Sequence, residues 1–235
     1  MTLKRTKISV IIPTFMEEQY IAILLSQLAK TEHQIEVIVV DSASQDKTVE
    51  IAKRFTEKVY KINARGIAKA RNYGANHASG NLLMFLDADV KLPTSFAEKL
   101  YEVFEDDEVV GATCNIMPEY GTFFEKVFFK FYNVLLQITT KFKPHARGEF
   151  FAVRKGDFMR VGGFDESLPC LEDHDLAHRL SKVGKFVFIE DLTVYESMRR
   201  FRKTGFSKVV CTWITDYIFL LLCGKPLSKV WQPVR

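Results

Sequence analysis

An α/β domain with a mostly parallel central sheet flanked by helices is predicted by three observations. β-rich apolar runs at residues 8–12, 36–40 and 82–86 alternate with helical periodicities, the pattern of successive strand–helix–strand units. Residues 82–86 form an unbroken uncharged run, too short for a helix of its own, which suits a strand covered on both faces. Acidic side chains follow two of these runs, Asp41 after the second and Asp87 and Asp89 after the third. In open α/β sheets, ligands sit beyond the carboxyl ends of the strands.

Taken in order, residues 8–12 stop at Pro13, and Ile21, Leu24, Leu25 and Leu28 then share one face of a helix. Residues 36–40 lead into DSASQDKT, where Ser44 is positioned to cap a helix carrying Val49, Ile51, Ala52 and Phe55. Residues 59–62 are a short strand, and 64–77 read as a helix rich in Ala, Arg and Lys. If the strand at 82–86 stays extended, Asp87 and Asp89 point to one side and Ala88 to the other. Two such carboxylates suit Mg²⁺ or Mn²⁺, although acidic pairs at strand ends also serve as turn formers and helix caps. The turn after the first strand has neither G-x-G-x-x-G nor a phosphate-loop lysine, which disfavours an NAD site or an ATPase loop.

The 235 residues suffice for one sizeable core, taken as residues 1–195, with a basic, amphipathic C-terminal tail at 196–235. A net charge of +4, concentrated only near the C-terminus, does not argue for nucleic acid. Cys114, Cys170, Cys211 and Cys223 form no Cys-x-x-Cys pair, and the N-terminal MTLKRTK precedes an apolar run shorter than a signal peptide needs. Reduced thiols and a cytoplasmic location are expected.

SVIIPTFMEE, VIVVDSASQDKT and ARGIAKARNYGANHASGNLLMFLDAD, in this order and spacing, resemble the nucleotide-binding segments of the family-2 glycosyltransferases of GT-A fold. The resemblance spans about residues 7–195. It implies a Rossmann-like GT-A domain with a UDP- or GDP-linked sugar donor bound by residues 7–118 and an acceptor side at 119–195. Pro13, Thr14, Glu17 and Asp41 would surround the base and ribose, Asp87 and Ala88 would lie near the ribose, and Asp89 with Asp87 would hold Mn²⁺ or Mg²⁺. Two departures are Phe15-Met16-Glu17, where the family often has Tyr-Asn-Glu, and Asp41-Ser42-Ala43-Ser44, where Asp-Asp-Gly-Ser is common. Of Arg65, Lys69 and Arg71 on the preceding helix, Arg71 is the preferred diphosphate contact.

Farther along, residues 96–104 form an amphipathic helix and 109–114 a strand. Across 121–143, Phe124, Phe128, Phe131, Leu135, Ile138 and Phe142 recur at helical spacing among four lysines, a stripe suited either to the core or to a membrane interface. The Gly162-Gly163 turn offers a place for a substrate to approach the backbone. In LEDHDLAHRL, the resemblance makes Glu172 an acceptor-side residue and Asp173 the general base, where a helix cap is the plain alternative. His174 and His178 have zinc-protease spacing but lack an obvious third ligand. Residues 186–189 are the last strand. SMRRF, at 197–201, is a faint echo of the Gln-x-x-Arg-Trp signature of processive synthases. Arg199, Arg200, Arg202, Lys203 and Lys208 then precede an apolar stretch at 209–223, read as too short to span a bilayer and suited to peripheral membrane contact, a dimer contact or a lid.

The expected activity is inverting, metal-dependent transfer of a sugar to an acceptor hydroxyl on a glycan or glycolipid. Transfer to a polyprenyl phosphate, a sugar nucleotidyltransferase and a catalytically silent nucleotide-sugar-binding protein are the alternatives.

Overall fold

The structure, a computed structural model, describes residues 7–229 and 234; the basic run at 1–6 lies outside the described residues. The first half is parallel: β1 (Ile8–Thr14) lies between β2 (Ile35–Asp41) and β4 (Leu82–Phe85), and β3 (Val59–Lys61) pairs with β2. Beyond β4 both directions occur. β7 (Phe151–Arg154) runs antiparallel to β4 and to β6 (Val109–Pro118), β6 pairs in parallel with β8 (Lys185–Glu196), and β5 (Val90–Lys91) pairs antiparallel with β8. The sheet order is β3-β2-β1-β4-β7-β6-β8-β5. The sheet is mixed but, among the described residues, parallel in four of its seven pairings, as expected, with β7 running against both of its neighbours, β4 and β6.

Helices α1 (Ile21–Ala29), α2 (Thr48–Ala52) and α3 (Ile67–His77) connect the parallel strands. α1 buries Ile21, Leu24, Leu25 and Leu28, the predicted face. α3 starts at Ile67 rather than 64 because Gly66, at φ 131°, turns the chain into it. Ser44 does not cap α2, whose preceding residue is Lys47; its hydroxyl is taken by Asp41 instead. β8 extends to Glu196, since Leu192 and Val194 continue the buried alternation past the exposed Glu190 and Asp191.

α4 (Phe96–Val103) covers one face of the sheet, and α6 (Lys155–Arg160) follows β7. α5 (Phe123–Thr140) opens on a Thr122/Glu125 capping box and buries Phe129, Asn133 and Leu136. Asn133 fixes it in register: its side-chain carbonyl accepts from the Ile116 N–H at 3.1 Å and its amide donates to the Ile116 carbonyl at 2.9 Å. Most of the aromatic stripe lies outside the core, with Phe124, Phe131, Leu135, Ile138 and Phe142 exposed. α8 (Arg199–Thr204) and α9 (Phe206–Cys223) pack back on the domain through buried Phe201 and Val209 and through Trp213, which meets Phe201 edge-on at 5.5 Å. With 18 residues, α9 is long and apolar enough to cross a membrane by length and composition, whereas the sequence reading made it too short.

Gly74 lets α3 sit directly on the sheet, since an added Cβ would lie 2.4 Å from Ile11 and 3.2 Å from Val40 side-chain carbons. Gly74→Ala is expected to lower the unfolding free energy by about 1–3 kcal/mol in denaturant titration. Gly156→Ala, in α6 with open space at its Cβ, is expected to be neutral or to stabilise by up to about 1 kcal/mol.

Candidate active site

The first two strand ends are tied together by side chains. Asp41 is fully buried and accepts from the Thr14 hydroxyl at 3.0 Å, the Ser44 N–H at 2.8 Å and the Ser44 hydroxyl at 2.5 Å. Ser44 in turn accepts from the Met16 N–H at 2.7 Å, and Met16 and Ala43 both hold left-handed backbone, φ 58° and 62°. Asp41, expected at a ligand, thus has both oxygens committed to Thr14 and Ser44. Pro13 pairs with Val40 in the sheet, and the Glu17 N–H donates to Thr48 at 2.7 Å.

After β4 the chain does not stay extended, because Ala88 and Asp89 form a turn before β5. Asp87 and Asp89 still line one small cavity of about 100 Å³ with Glu149 and Glu196, yet each faces a different arginine. Arg71 Nη2 donates to Asp87 at 2.9 Å and to the Gly148 carbonyl at 3.1 Å, while Nη1 donates to Glu172 at 2.7 Å. The guanidinium is 1% exposed and lies over the Phe164 ring at 5.3 Å. Arg71, the expected diphosphate contact, thus donates from both terminal nitrogens, while its Nε is buried with no partner among the described residues. Arg65 and Lys69 are exposed, Arg65 over the Phe15 ring at 5.7 Å.

Asp89 pairs with Arg199 Nε at 2.9 Å, and the same guanidinium grips Glu17 through two bonds of 2.6 and 2.8 Å while lying over Tyr20. Burial pushes the Asp89 carboxyl up to about 7, with Asp87, Glu17 and Glu149 adding to the rise and Arg199 opposing it. Arg199 belongs to the basic cluster expected to face a membrane. So does Arg202, which is bound to Glu125 and to the Tyr120 carbonyl.

The segment expected on the acceptor side converges on the same place. α7 (Glu172–Leu180) begins after Leu171 in left-handed backbone, with no side-chain cap. Asp173 is thus not a helix cap; it accepts from the His174 N–H at 2.8 Å and lines a groove. Burial pushes Glu172 up to about 7, with Asp173 adding and Arg71 opposing, and pushes Asp173 up to about 6 against the pull of Arg71. Gly162 and Gly163, at φ 85° and 69°, line neither cavity. Their turn is structural: Asn72 accepts from the Phe164 N–H and donates to the Phe164 carbonyl, both at 2.9 Å, which seats Phe164 under Arg71. His174 faces His145, Nδ1 to Nδ1 at 3.2 Å, and among the described residues neither it nor His178 belongs to a group of three His, Cys, Asp or Glu side chains that could hold a metal.

The sequence reading missed a third arginine. Arg147 is buried against Phe129, Tyr132 and Trp213 and donates to Glu149 at 2.8 Å and Glu196 at 2.9 Å. The two carboxyls share this one cation, so that burial holds Glu196 well above the usual range while Arg147 brings Glu149 down to about 2. Position in RGEFFAV gave no hint, because its partner Glu196 is 49 residues away. Around the site, Glu17, Asp87, Asp89, Glu149, Glu172, Asp173, Glu196 and Asp216 outnumber Arg71, Arg147, Arg199 and Arg200. This oxygen-rich excess of negative charge fits a hard divalent cation. Among the described residues no group of three His, Cys, Asp or Glu side chains is arranged to hold a metal, and an Asp pair that leaves positions to water and phosphate oxygens suits Mg²⁺ or Mn²⁺.

The glycosyl transferase family 2 model matches residues 9–164, which contain β1 to β7 and both strand-end aspartates. Glycosyltransferase GlyA of Streptococcus pneumoniae is 34% identical over 128 residues, 50% of this chain and 18% of the relative. An uncharacterized glycosyltransferase of Haemophilus influenzae is 28% identical over 191 residues, 76% of this chain and 63% of the relative. The chain thus spans less than two thirds of the length of these curated relatives. Among solved structures, a mannosyltransferase from Pyrobaculum calidifontis in complex with GDP-Man and Mn²⁺ superimposes with a TM-score of 0.72 at 24% identity, covering 89% of this chain and 65% of that one, a likeness in fold. With the matched segment carrying the whole parallel half-sheet and the Asp87–Asp89 turn, this chain belongs to glycosyl transferase family 2.

Proposed function

We propose that this chain is an inverting glycosyltransferase that moves a sugar from a UDP- or GDP-linked donor to an acceptor hydroxyl. One observation carries the reading: Arg71 bonds Asp87, at the donor-side strand end, and Glu172, the neighbour of Asp173, so that donor and acceptor carboxylates meet around a single guanidinium. The reading assigns the base and ribose to Pro13, Thr14 and Glu17, with Asp41 holding their loops, and the ribose and diphosphate end to Asp87, Ala88, Asp89 and Arg199. Asp89 and Asp87 would hold Mn²⁺ or Mg²⁺, which when bound neutralises charge on the departing diphosphate. With its thiols unpaired, the domain is assigned to the cytoplasmic side.

Asp173 acts as the base. Glu172 is held directly by Arg71, whereas Asp173 accepts only from a backbone N–H and borders the groove. As the acceptor oxygen bonds to the anomeric carbon, its proton passes to Asp173 and the bond from that carbon to the diphosphate oxygen breaks on the opposite face. Arg71 and Arg147, the arginines lining the groove, are both ion-paired, each with one buried nitrogen left unpartnered among the described residues, beside Asp87, Glu149, Glu172 and Asp173. This charge balance favours a neutral hydroxyl over a lipid phosphate.

Calorimetric titration with UDP and GDP, in Mn²⁺ and then in EDTA, is expected to give metal-dependent binding of one nucleotide, lost in Asp89→Ala; binding of neither would refute the donor assignment. Asp173→Asn is expected to lower kcat for a hydroxyl acceptor by about 10²–10⁴-fold while nucleotide affinity holds, and unchanged turnover would remove Asp173 as base. With Asp173 raised to about 6, the base is ionised above that pH, so kcat/KM is expected to fall about tenfold per pH unit below it in a pH–rate profile. A Cβ at Gly148 would stand 2.3 Å from Arg71 Nη2, so Gly148→Ala is expected to lower kcat by about tenfold or more through displacement of the guanidinium.

A further inference from the structure

A second cavity, of about 460 Å³, opens beside the carboxylates and runs out between α5 and α9. Its inner end is bordered by Asp87, Glu172 and Asp173, and its outer walls are Phe131, Leu135 and Thr139 of α5 and Val210, Ile214 and Ile218 of α9. The volume is within the range of small-molecule sites, and the change from acidic floor to apolar wall calls for a ligand with one polar end and one long apolar one.

The same two helices turn further apolar side chains outward. Phe124 and Phe142 of the α5 region are 81 and 87% exposed, and Leu222 of α9 is 79% exposed. Lys126, Lys130 and Lys141 are exposed along α5, as cations beside an apolar face are when a helix lies on anionic lipid. α9 is held to the domain by its other face. The Cys170 thiol donates to Asp216 at 3.7 Å, and the Tyr217 hydroxyl meets His145 Nε2 at 3.0 Å. One side of α9 therefore walls the groove while the opposite side is open.

We propose that the α5–α9 groove is the acceptor subsite and that its occupant is a membrane lipid, with its hydroxyl head at Asp173 and its apolar chain leaving between Leu135 and Ile214 into the bilayer on which both helices rest. The assignment of the head to Asp173 depends on the transferase reading above. A lipid fits better than a soluble glycan because the walls present little to hydrogen-bond to sugar hydroxyls. It fits better than a second copy of the chain because the apolar surface continues inward as a cavity that ends on carboxylates.

The test uses the full chain and a long-chain primary alcohol with a dansyl group at its tail, which accepts excitation from Trp213 in the groove wall. Wild type is expected to bind this alcohol, and Leu135→Glu and Ile214→Glu, at partly exposed positions, are each expected to weaken it by about tenfold or more by placing a carboxylate in the apolar wall. Both variants should keep Mn²⁺-dependent nucleotide binding. The matching alkyl phosphate is expected to bind about tenfold more weakly than the alcohol. Phe124→Ser with Phe142→Ser should abolish flotation with phosphatidylcholine vesicles containing phosphatidylglycerol and leave alcohol binding intact. Absence of alcohol binding, its survival in both groove variants, or equal binding of the phosphate would overturn the proposal. So would a wild-type chain that ignores vesicles and sediments as a dimer broken by the Phe124 and Phe142 changes, which would give the face to a second copy. Wild type that binds the alcohol but neither nucleotide would support the groove and refute the donor reading instead.

Discussion

The burial of one guanidinium constrains the rest of the site. Arg71 is carried on α3 beneath the sheet, where a charge is tolerated only if carboxylates and a carbonyl satisfy it in fixed geometry. Asp87 reaches it from the end of β4, Glu172 from the first turn of α7, and the Gly148 carbonyl from the loop before β7. Phe164 closes the remaining face, and the Gly162-Gly163 turn exists to bring it there. Three segments far apart in the chain are thus held at one point by a group that cannot lose its charge. Breaking any one contact leaves the others around an uncompensated charge, which makes the arrangement cooperative.

Arg199 and Arg147 repeat this logic toward the C-terminus. Arg199 draws α8 onto Asp89 and Glu17, and Arg147 draws the end of β8 onto Glu149, within a cage of Phe129, Tyr132 and Trp213. The segment after β8 therefore closes over Asp89 and Glu17, the side proposed for the donor. Even so, acidic groups remain in excess; burial, with neighbouring carboxylates adding to it, raises Asp89, Glu172 and Asp173 and leaves the site short of positive charge. The metal-bound diphosphate and uncharged acceptor proposed above would meet that demand on one side without adding an anion on the other.

The two helices at the edge of the site show how an aromatic-rich sequence divides its faces. α5 spends Phe129, Asn133 and Leu136 on the domain and leaves Phe124, Phe131 and Phe142 outside. α9 spends Val209 and Asp216 in the same way. Between their inner and outer faces lies the groove, so the architecture that fixes the helices also shapes a passage from the carboxylates to the exposed apolar surface.

By itself the sequence determined what depends on local order. The run at 82–86, the α1 face and the order of the strand-end aspartates follow from period and adjacency, and these were enough for an α/β sheet with its acidic residues at one edge. Hydrophobic period states that a face is apolar but not what covers it, so the α5 stripe could be core or surface until β6 claimed Asn133 and left the phenylalanines outside. Ion pairs are set by distances in space, often between residues far apart in sequence. Tertiary structure alone therefore decided that Arg71 and Asp41 are internal ties, that β7 reverses the sheet, and that Arg199, 182 residues from Glu17, closes the site. The sequence placed charges in a list, and only the fold determined which of them meet.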